Sequence, residues 1–376
     1  MKIKDTNLNY TLNVVCRWVV GLVFLFSSFV KGVDPLGTVY KVQEYMTAWS
    51  IGSLTFEWAL PLASVLSCAL ICAEFVVGVL LITNSYRRMT AWLLALMMLF
   101  FTVTTFVDAV TNKVTDCGCF GDAVKLTNWE TFWKNVALDI PTVWILLTCR
   151  LRRKRRFERD CIVLVSSVAA MLIFCIYNIK HEPIIDFRPW KIGNKMIEER
   201  AAMNHMTFKN IASGEEVTVD YPSGGWDQVP AEYKDFEKWE IVNSTSDEPF
   251  ELKADGFSMM DMMMEDHAVE LIQSEDGLII VTIHTLDKMD AKGVEEVKLA
   301  QQVAEENGKQ IVLLTAALPE EIQGWMYDNQ VEGLDYLFAD ATAIKTILRG
   351  NPGFVYVQDA VVVDKGRKAE ELKIKE

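Results

Sequence analysis

Two cysteines separated by one residue, Cys117 and Cys119, form the stretch best suited to redox chemistry. They lie within residues 116–122, where Gly118 separates them and Gly121 follows. Glycine permits the sharp backbone turn that would bring thiols at positions i and i+2 within the roughly 4.4–6.8 Å Cα separation of a disulfide. A ring this small is strained, and strained disulfides are oxidising and labile. The pair predicts a loop that exchanges disulfides. The alternative is a tight loop with packed, unreactive thiols.

Long apolar stretches on both sides of this loop predict that membrane-spanning helices position it. Five stretches approach the roughly 20 residues that a spanning helix needs. They are residues 12–31, 58–83, 89–111, 130–149 and 160–179. The loop falls between the third and the fourth, so we expect it at a membrane surface. No Lys, Arg or His lies within two residues of the pair, and Asp116 and Asp122 flank it, which disfavours the thiolate.

The chain divides into two parts of opposite charge. Residues 1–180 carry 18 Lys and Arg against 12 Asp and Glu, a net charge of +6, and contain all eight cysteines. Residues 181–376 carry 19 against 39, a net charge of −20. This change in composition predicts a membrane domain followed by a soluble acidic domain. The acidic charge excludes nucleic acid as an expected partner, whereas the apolar helices imply contact with membrane lipid.

Basic residues predict how the chain crosses the membrane. Seven of them, from Arg150 to Arg159, crowd the link between the fourth and fifth apolar stretches. Links rich in Lys and Arg stay in the cytoplasm. The N-terminus is then cytoplasmic, and the Cys117–Cys119 loop and everything after residue 180 are extracytoplasmic. Disulfides form and persist in that compartment.

Glu74 is an ionisable residue within the second apolar stretch. A charge there costs several kcal/mol unless it is paired or neutral, so Glu74 is a functional candidate. Three roles are open: it would hold a quinone headgroup, relay protons or hydrogen-bond a neighbouring helix. Lys31 and Asp34 at the outer end of the first stretch are expected to form an ion pair. Asp34 and Pro35 also predict the start of a short helix at the outer interface.

The remaining sulfur and imidazole side chains predict no metal site. Cys68 and Cys72 share one face of a helix and are interpreted as packing residues. Five methionines between residues 259 and 264 would suit Cu(I), but a hydrophobic helix start or docking face is the favoured interpretation. The four histidines show no ligand spacing; they are His181, His205, His267 and His284.

From residue 278 onward, apolar periodicity predicts a thioredoxin-like α/β domain. Strands are expected at 278–284, 310–315, 336–338, 354–357 and 361–363, and helices at 294–307, 319–329 and 340–349. This order is that of thioredoxin, and Pro352 resembles its cis-proline. The loop that carries Cys-x-x-Cys in that family, residues 285–290 here, has no cysteine. We therefore expect this domain to bind an extended segment beside Pro352 without exchanging disulfides.

Four segments follow from these patterns. Residues 1–150 are expected to form a four-helix transmembrane domain, and residues 151–180 a basic cytoplasmic link with a fifth transmembrane helix. Residues 181–269 are interpreted as an irregular, polar, extracytoplasmic segment with one strand at 217–219. Residues 270–376 form the thioredoxin-like domain. The predicted fold class is thus a membrane α-helical bundle followed by a soluble α/β domain.

Three motifs resemble a known family of membrane proteins. Residues 29–37 (FVKGVDPLG) and 73–78 (AEFVVG) are similar to DoxX-type proteins. Residues 117–122 (CGCFGD) are similar to the MauE branch of that group, the methylamine utilisation proteins. The resemblance covers about residues 10–150. Residues 181–195 and the two-part layout also resemble DoxX-type proteins of Bacteroidetes-like bacteria, which implies the bacterial inner (plasma) membrane and a periplasmic C-terminal domain.

The resemblance implies a four-helix bundle that supports thiol–disulfide chemistry in an exported client protein. Vitamin K epoxide reductase and DsbB-type oxidoreductases share this bundle, with a quinone as electron acceptor. This chain has Cys-x-Cys where they have a membrane Cys-x-x-Cys, and it shows no second external cysteine pair. Two functions follow. The chain is a thiol-disulfide oxidoreductase that uses Cys117 and Cys119, or a non-catalytic membrane scaffold or assembly factor that presents a binding domain.

The predicted orientation can be measured with a reporter enzyme that is active only outside the cytoplasm. Fusion after Glu376 is expected to give activity and fusion at Arg153 none, because the basic link stays in the cytoplasm. Enzyme activity in intact cells is the measurement. The reverse pattern would overturn both the orientation and the placement of the Cys117–Cys119 loop in an oxidising compartment.

Overall fold

A computed structural model describes residues 6–51, 54–55, 57–114, 118–124, 126–149, 157–200, 202–247, 249–254 and 256–374. Cys117 and the basic residues 150–156 lie outside these ranges. The chain divides into two compact units, Met1–Phe187 and Arg188–Glu376. The described part of the first unit is almost entirely helical, and that of the second is rich in β-strand.

Six α-helices form the described part of the first unit. They are α1 (Asn7–Val33), α2 (Pro35–Ala48), α3 (Ala63–Thr83), α4 (Arg87–Thr111), α5 (Asn128–Thr148) and α6 (Phe157–Lys180). Two short strands, β1 (Ser50–Ile51) and β2 (Leu54–Thr55), and a 3-10 helix at Glu57–Leu62 precede α3. All five apolar stretches are helical, and the interfacial helix is α2. Asp34 caps α2, since its carboxylate accepts the Gly37 N–H at 3.0 Å.

Four helical segments are long and apolar enough to cross a membrane. They are Asn7–Val33, Trp58–Thr83, Arg87–Thr111 and Phe157–Lys180. The helix α5 has 21 residues but carries Glu130, Lys134 and Asp139, which makes it more polar than the others. Large apolar side chains on α4, such as Trp92 and Leu96, are exposed. In a membrane protein such side chains face lipid, so the first unit is a membrane domain.

Small residues let the first and third helices approach closely. A Cβ on Gly78 would lie 3.0 Å from the carbonyl oxygen of Gly21, and a Cβ on Gly21 would lie 3.2 Å from that of Gly78. Helices in membranes pack through such small residues because no hydrophobic effect drives them together. The apolar core beside this contact contains Phe24, Val77 and Leu94. The pair α1–α3 is therefore a tightly packed frame for the polar residues that both helices carry.

The second unit is built on a five-stranded sheet. Before it come β3 (Ile197–Glu199), β4 (Met203–Asn210), β5 (Glu216–Pro222), β6 (Trp239–Ser246), β7 (Phe250–Leu252) and α7 (Ala268–Ile272). Then follow β8 (Leu278–Ile283), α8 (Ala291–Glu306), β9 (Gln310–Thr315), α9 (Pro319–Asp328), β10 (Tyr336–Phe338), α10 (Ala341–Ile347), β11 (Gly353–Gln358) and β12 (Val361–Gly366). The order across the sheet is β10-β9-β8-β11-β12.

Strand directions in this sheet are those of a thioredoxin-like fold. The strands β8, β9 and β10 are parallel, whereas β11 is antiparallel to β8 and β12 to β11. Every residue of β8 is buried, because strands flank it on both sides and apolar clusters cover both faces. The predicted strands and helices after residue 278 are all present, with ends that differ by at most a few residues.

Both edges of the five-stranded sheet are covered by residues that precede it in sequence. Met260 exchanges two backbone hydrogen bonds with Phe338 on β10, at 2.8 and 2.7 Å. On the other side, the Met196 N–H donates to the Ala360 carbonyl at 2.7 Å, and the Gly193 N–H donates to the Val362 carbonyl at 2.7 Å. Covered edges cannot pair with other chains. These preceding residues are therefore part of the folded unit.

The prediction of an irregular segment after residue 181 is wrong. The strands β4, β5 and β6 form an antiparallel sheet in the order β5-β4-β6, and β3 pairs with β7. Phe208 and Tyr221 are buried in an apolar cluster on this sheet. The predicted strand at 217–219 lies within β5. The other strands were missed because most of their residues are partly exposed on both faces, which weakens the alternation of apolar and polar residues.

Candidate functional site

The loop around Cys119 turns sharply at two glycines. Gly118 has φ +61° and Gly121 has φ +49°, both in the left-handed region that glycine adopts without strain. The Gly121 N–H donates to the Gly118 carbonyl at 3.1 Å. Cys119 lies within this turn and is partly exposed. The predicted turn is present, and Cys117 lies outside the described residues.

A buried polar network holds this loop against the helices. The Ser27 hydroxyl on α1 lies 2.8 Å from the Cys119 carbonyl oxygen and 2.9 Å from Glu74 Oε2 on α3, and its single proton is shared between these two acceptors. Lys31 Nζ on α1 lies 2.6 Å from Glu74 Oε1. The Lys31 and Glu74 side chains are only 8% and 2% exposed. The main chain of Cys119 is thus tied to an ion pair inside the membrane domain.

The ion pair explains how an intramembrane glutamate is tolerated. A buried charge without a partner would cost several kcal/mol, and Lys31 supplies the opposite charge one helix away. The sequence predicted an ion pair between Lys31 and Asp34. The contact of Lys31 with Glu74 was missed because Lys31 and Glu74 are 43 positions apart. Asp34 caps α2. Glu74 therefore links α1 to α3 and, through Ser27, to the loop.

Cations from distant parts of the chain lie near the loop. Lys134 on α5 places Nζ 4.3 Å from the centroid of the Phe120 ring, which also contacts Phe26 at 5.4 Å between centroids. Lys41 on α2 packs on Gly118, with its Cγ 3.1 Å from the position of a Cβ there. The sequence suggested only acidic neighbours for the cysteines. The folded loop therefore has two lysines among its neighbours, and the Lys41 ammonium pairs with Glu44 at 2.7 Å.

The helix that carries Lys41 is held in place by its own buried contact. The Tyr45 hydroxyl on α2 donates to Asp108 Oδ2 near the end of α4 at 2.7 Å. Asp108 is completely buried. This contact joins α2 to the helix that leads into the Cys119 loop, so α2 is more than a surface anchor.

The Glu74 carboxylate itself cannot donate a hydrogen bond to an oxidised quinone. Quinone oxygens are hydrogen-bond acceptors and need donors, whereas a carboxylate paired with Lys31 has only acceptors. Both Glu74 oxygens already contact donors, namely Ser27 and Lys31. We therefore assign no electron-transfer step to a quinone. The proton and quinone roles of Glu74 stay predictions.

Other thiols of the membrane domain pack against apolar side chains. Cys72 packs with Ile71, Met171 and Cys175 between α3 and α6. Cys16 and Cys149 pack in the core formed by α1, α3, α4 and α5. These contacts agree with the interpretation of Cys72 as a packing residue.

In the second unit, the residues around Pro352 form a defined site. The Asn351–Pro352 peptide bond is cis, as predicted. The Asn351 side chain joins this bond to the end of β8, because its Oδ1 accepts the His284 N–H at 2.9 Å and its Nδ2 donates to the Thr285 carbonyl at 2.7 Å. The structure thus joins the Pro352 peptide bond to the loop after β8.

Three basic residues surround His284 in an otherwise acidic unit. Burial and, after it, the positive charges of Lys345, Lys288 and Arg349 together lower the pKa of His284 to about 4. The imidazole is therefore neutral at pH 7 and surrounded by three cations. These residues come from the loop after β8 and from the end of α10, so no local pattern could have grouped them. We call them the His284 site.

The methionines between residues 259 and 264 differ in exposure in the folded chain. Met259 is fully buried, whereas Met262, Met263 and Met264 are exposed. Nearby, Asp261, Glu265 and His267 place ligand-type atoms within 4.8 Å of one another. The Asp261 carboxylate accepts the N–H groups of Met263 and Glu265 at 2.8 and 2.9 Å. This arrangement is a hydrogen-bonded turn, and its methionine side chains do not gather around one point.

Comparison with known proteins supports the interpretation of the first unit as a membrane domain. Residues 9–148 match the family of the methylamine utilisation protein MauE, which confirms the resemblance seen in the motifs. A crystal structure of a thioredoxin-like protein from Bacteroides caccae ATCC 43185 is 9% identical, with 87% of this chain and 86% of that chain covered and a TM-score of 0.21. No curated protein sequence matches the chain. The thioredoxin-like fold of the second unit rests on its strand order and directions.

Removing one partner of the buried ion pair should destabilise the membrane domain. Glu74→Gln removes the carboxylate that pairs with the buried Lys31 ammonium, a change that typically costs about 3–5 kcal/mol. Thermal unfolding of the full chain in detergent measures the loss. Glu44→Gln is the control, because it removes the same charge from the half-exposed pair with Lys41 and should cost at most about 1 kcal/mol.

A double variant separates charge pairing from packing. Lys31→Met with Glu74→Gln removes both charges, so it should be more stable than Glu74→Gln alone. Equal stability of Glu74→Gln and the unchanged protein would show that the ion pair contributes nothing.

Proposed function

We propose that this membrane protein exchanges disulfides with an exported client through the Cys117–Cys119 loop. The observation that carries the proposal is the fixed backbone of Cys119. Its carbonyl oxygen contacts the Ser27 hydroxyl, which also contacts Glu74 of the Lys31–Glu74 pair. A fixed main chain keeps a partly exposed sulfur at one place on the surface. Lys41 packs on Gly118 and Lys134 on the Phe120 ring, so both neighbours of Cys119 in the loop are contacted by other helices.

The proposed chemistry consists of two successive thiol–disulfide exchanges. A client thiolate attacks one sulfur of the Cys117–Cys119 disulfide and forms a mixed disulfide, and the other loop sulfur leaves as a thiolate. The second client thiolate then attacks the client sulfur of the mixed disulfide. The client becomes oxidised, both loop cysteines become reduced, and two electrons pass from client to loop. No third reactant is needed for this exchange.

The thioredoxin-like unit binds the client in this proposal. It has no cysteine, because Cys175 is the last in the chain, so it cannot exchange disulfides itself. The His284 site instead offers Lys288, Lys345 and Arg349 around a neutral imidazole, next to Asn351 and Pro352. Such a site suits an extended client segment that carries carboxylates. The location proposed for the whole protein is the bacterial inner membrane, with this unit in the periplasm.

Cysteine variants test the exchange in the full chain reconstituted in lipid nanodiscs and oxidised with diamide. The probe is a fluorescent, reduced dithiol peptide, and its oxidised fraction is measured by chromatography. The unchanged protein should oxidise the peptide in proportion to its own amount. Cys117→Ser and Cys119→Ser should each abolish this reaction, because a single remaining thiol cannot hold a disulfide within the loop.

Cys161→Ser is the matched control, since it removes a thiol from the start of α6, and full activity is expected. Cys68→Ser and Cys72→Ser should likewise have little effect. Full peptide oxidation by Cys117→Ser would refute the proposal and leave a non-catalytic membrane scaffold or assembly factor as the better function.

A further inference from the structure

A polar pocket lies between α1, α3, α4 and the end of α5. Its polar lining comes from Asn13, Arg17, Asn84, Ser85, Arg87 and Thr90. Arg17 precedes Ser27 on α1 by ten residues, about 15 Å along a helix. The pocket is therefore well separated from the Cys119 loop, and nothing in the proposed exchange uses it. We call it the Arg17 pocket.

Arg17 carries a charge that its described surroundings do not balance. Arg17 is only 7% exposed. Its side chain donates one hydrogen bond, from a terminal nitrogen to the Leu81 carbonyl at 3.3 Å. Its Nε has no acceptor, and no carboxylate forms an ion pair with it in the part of the chain that the structure describes. A buried cation without a counter-charge is costly, which favours an anion at this place.

Among the other lining residues, Arg87 suits an oxygen-rich anion. Asn13 Nδ2 donates to Thr148 Oγ1 at 2.6 Å, which fixes the amide, and Arg87 brings a second guanidinium to the pocket. Guanidinium groups bind phosphate oxygens with several parallel hydrogen bonds. The enclosed space is about 10 Å³, enough for a single oxygen atom or water. A water molecule would satisfy Arg17 Nε but would leave the charge unbalanced.

The charge of the surrounding sequence agrees with an anionic ligand. Arg88 follows Arg87, and Cys149, which also lines the pocket, is followed in sequence by the basic segment from Arg150 to Arg159. Basic pockets between membrane helices bind the headgroups of anionic lipids. Asn84 and Arg87 are partly exposed, so the pocket can be reached from outside.

We propose that the Arg17 pocket binds a phosphate group, with one phosphate oxygen inserted beside Arg17 and the remainder at the mouth beside Arg87. The phosphate would come from the headgroup of an anionic phospholipid or from free phosphate, because both present the same oxygens to the two guanidinium groups.

The experiment compares the full chain in three kinds of nanodisc by thermal unfolding. The first contains phosphatidylcholine alone, the second a mixture of phosphatidylcholine and phosphatidylglycerol, and the third phosphatidylcholine with added inorganic phosphate. A rise in Tm of several degrees in the mixture identifies a lipid headgroup, and a rise with inorganic phosphate identifies free phosphate. Either rise should be lost in Arg17→Gln and kept in Arg88→Gln, which removes the same charge from an exposed neighbour of the pocket.

Two outcomes would overturn the proposal. One is an unchanged Tm in all three nanodiscs. The other is an equal loss of the rise in Arg17→Gln and Arg88→Gln, which would indicate general charge attraction. If Arg17→Gln does not fold, native mass spectrometry of the unchanged protein shows whether the pocket binds phosphate groups. Retention of phosphatidylglycerol or phosphate in preference to phosphatidylcholine supports the site, and no preference refutes it.

Discussion

The Lys31–Glu74 ion pair is the interaction on which the membrane domain depends. It places two opposite charges 2.6 Å apart in an interior where either charge alone would be costly. Ser27 connects the pair to the Cys119 carbonyl, so the same contact that joins α1 to α3 also positions the loop. Close packing at Gly21 and Gly78 brings these two helices near enough for the contact to form.

The thiols and the thioredoxin-like fold lie in different units of the chain. All eight cysteines lie before residue 181, in the part that forms membrane helices and the turned loop. The acidic unit keeps the thioredoxin strand order without its thiols. Three basic residues of this unit surround the neutral imidazole of His284. The proposed function assigns the exchange of disulfides to the first unit and the binding of the client to the second.

Local patterns predicted the elements of this structure well. Hydrophobic length predicted the five long helices, Asp34 and Pro35 predicted the start of α2, and the continuous apolar run from residue 278 predicted β8. Each of these signals depends on neighbours in sequence. The strands β4 and β6 escaped detection because their side chains are partly exposed on both faces, so no alternation marks them.

The contacts that define the candidate sites were not predictable in this way. Lys31 contacts Glu74, which is 43 residues away in sequence. Lys345 lies near His284, which is 61 residues away. Lys41 and Lys134 reach the Cys119 loop from two other helices. Charge pairing across such distances depends on helix packing and strand order, which local periodicity does not encode. The types of residue were visible in the sequence, and their partners were not.

The redox state of Cys117 and Cys119 in membranes is the most direct test of a loop that cycles between disulfide and dithiol. Cells are quenched in acid, and their membranes are alkylated before and after reduction, so that mass spectrometry shows which cysteines were oxidised. The account predicts that a fraction of both residues resists alkylation together until reductant is added. Complete alkylation of both residues without reductant, in a strain whose other exported disulfides are intact, would contradict it.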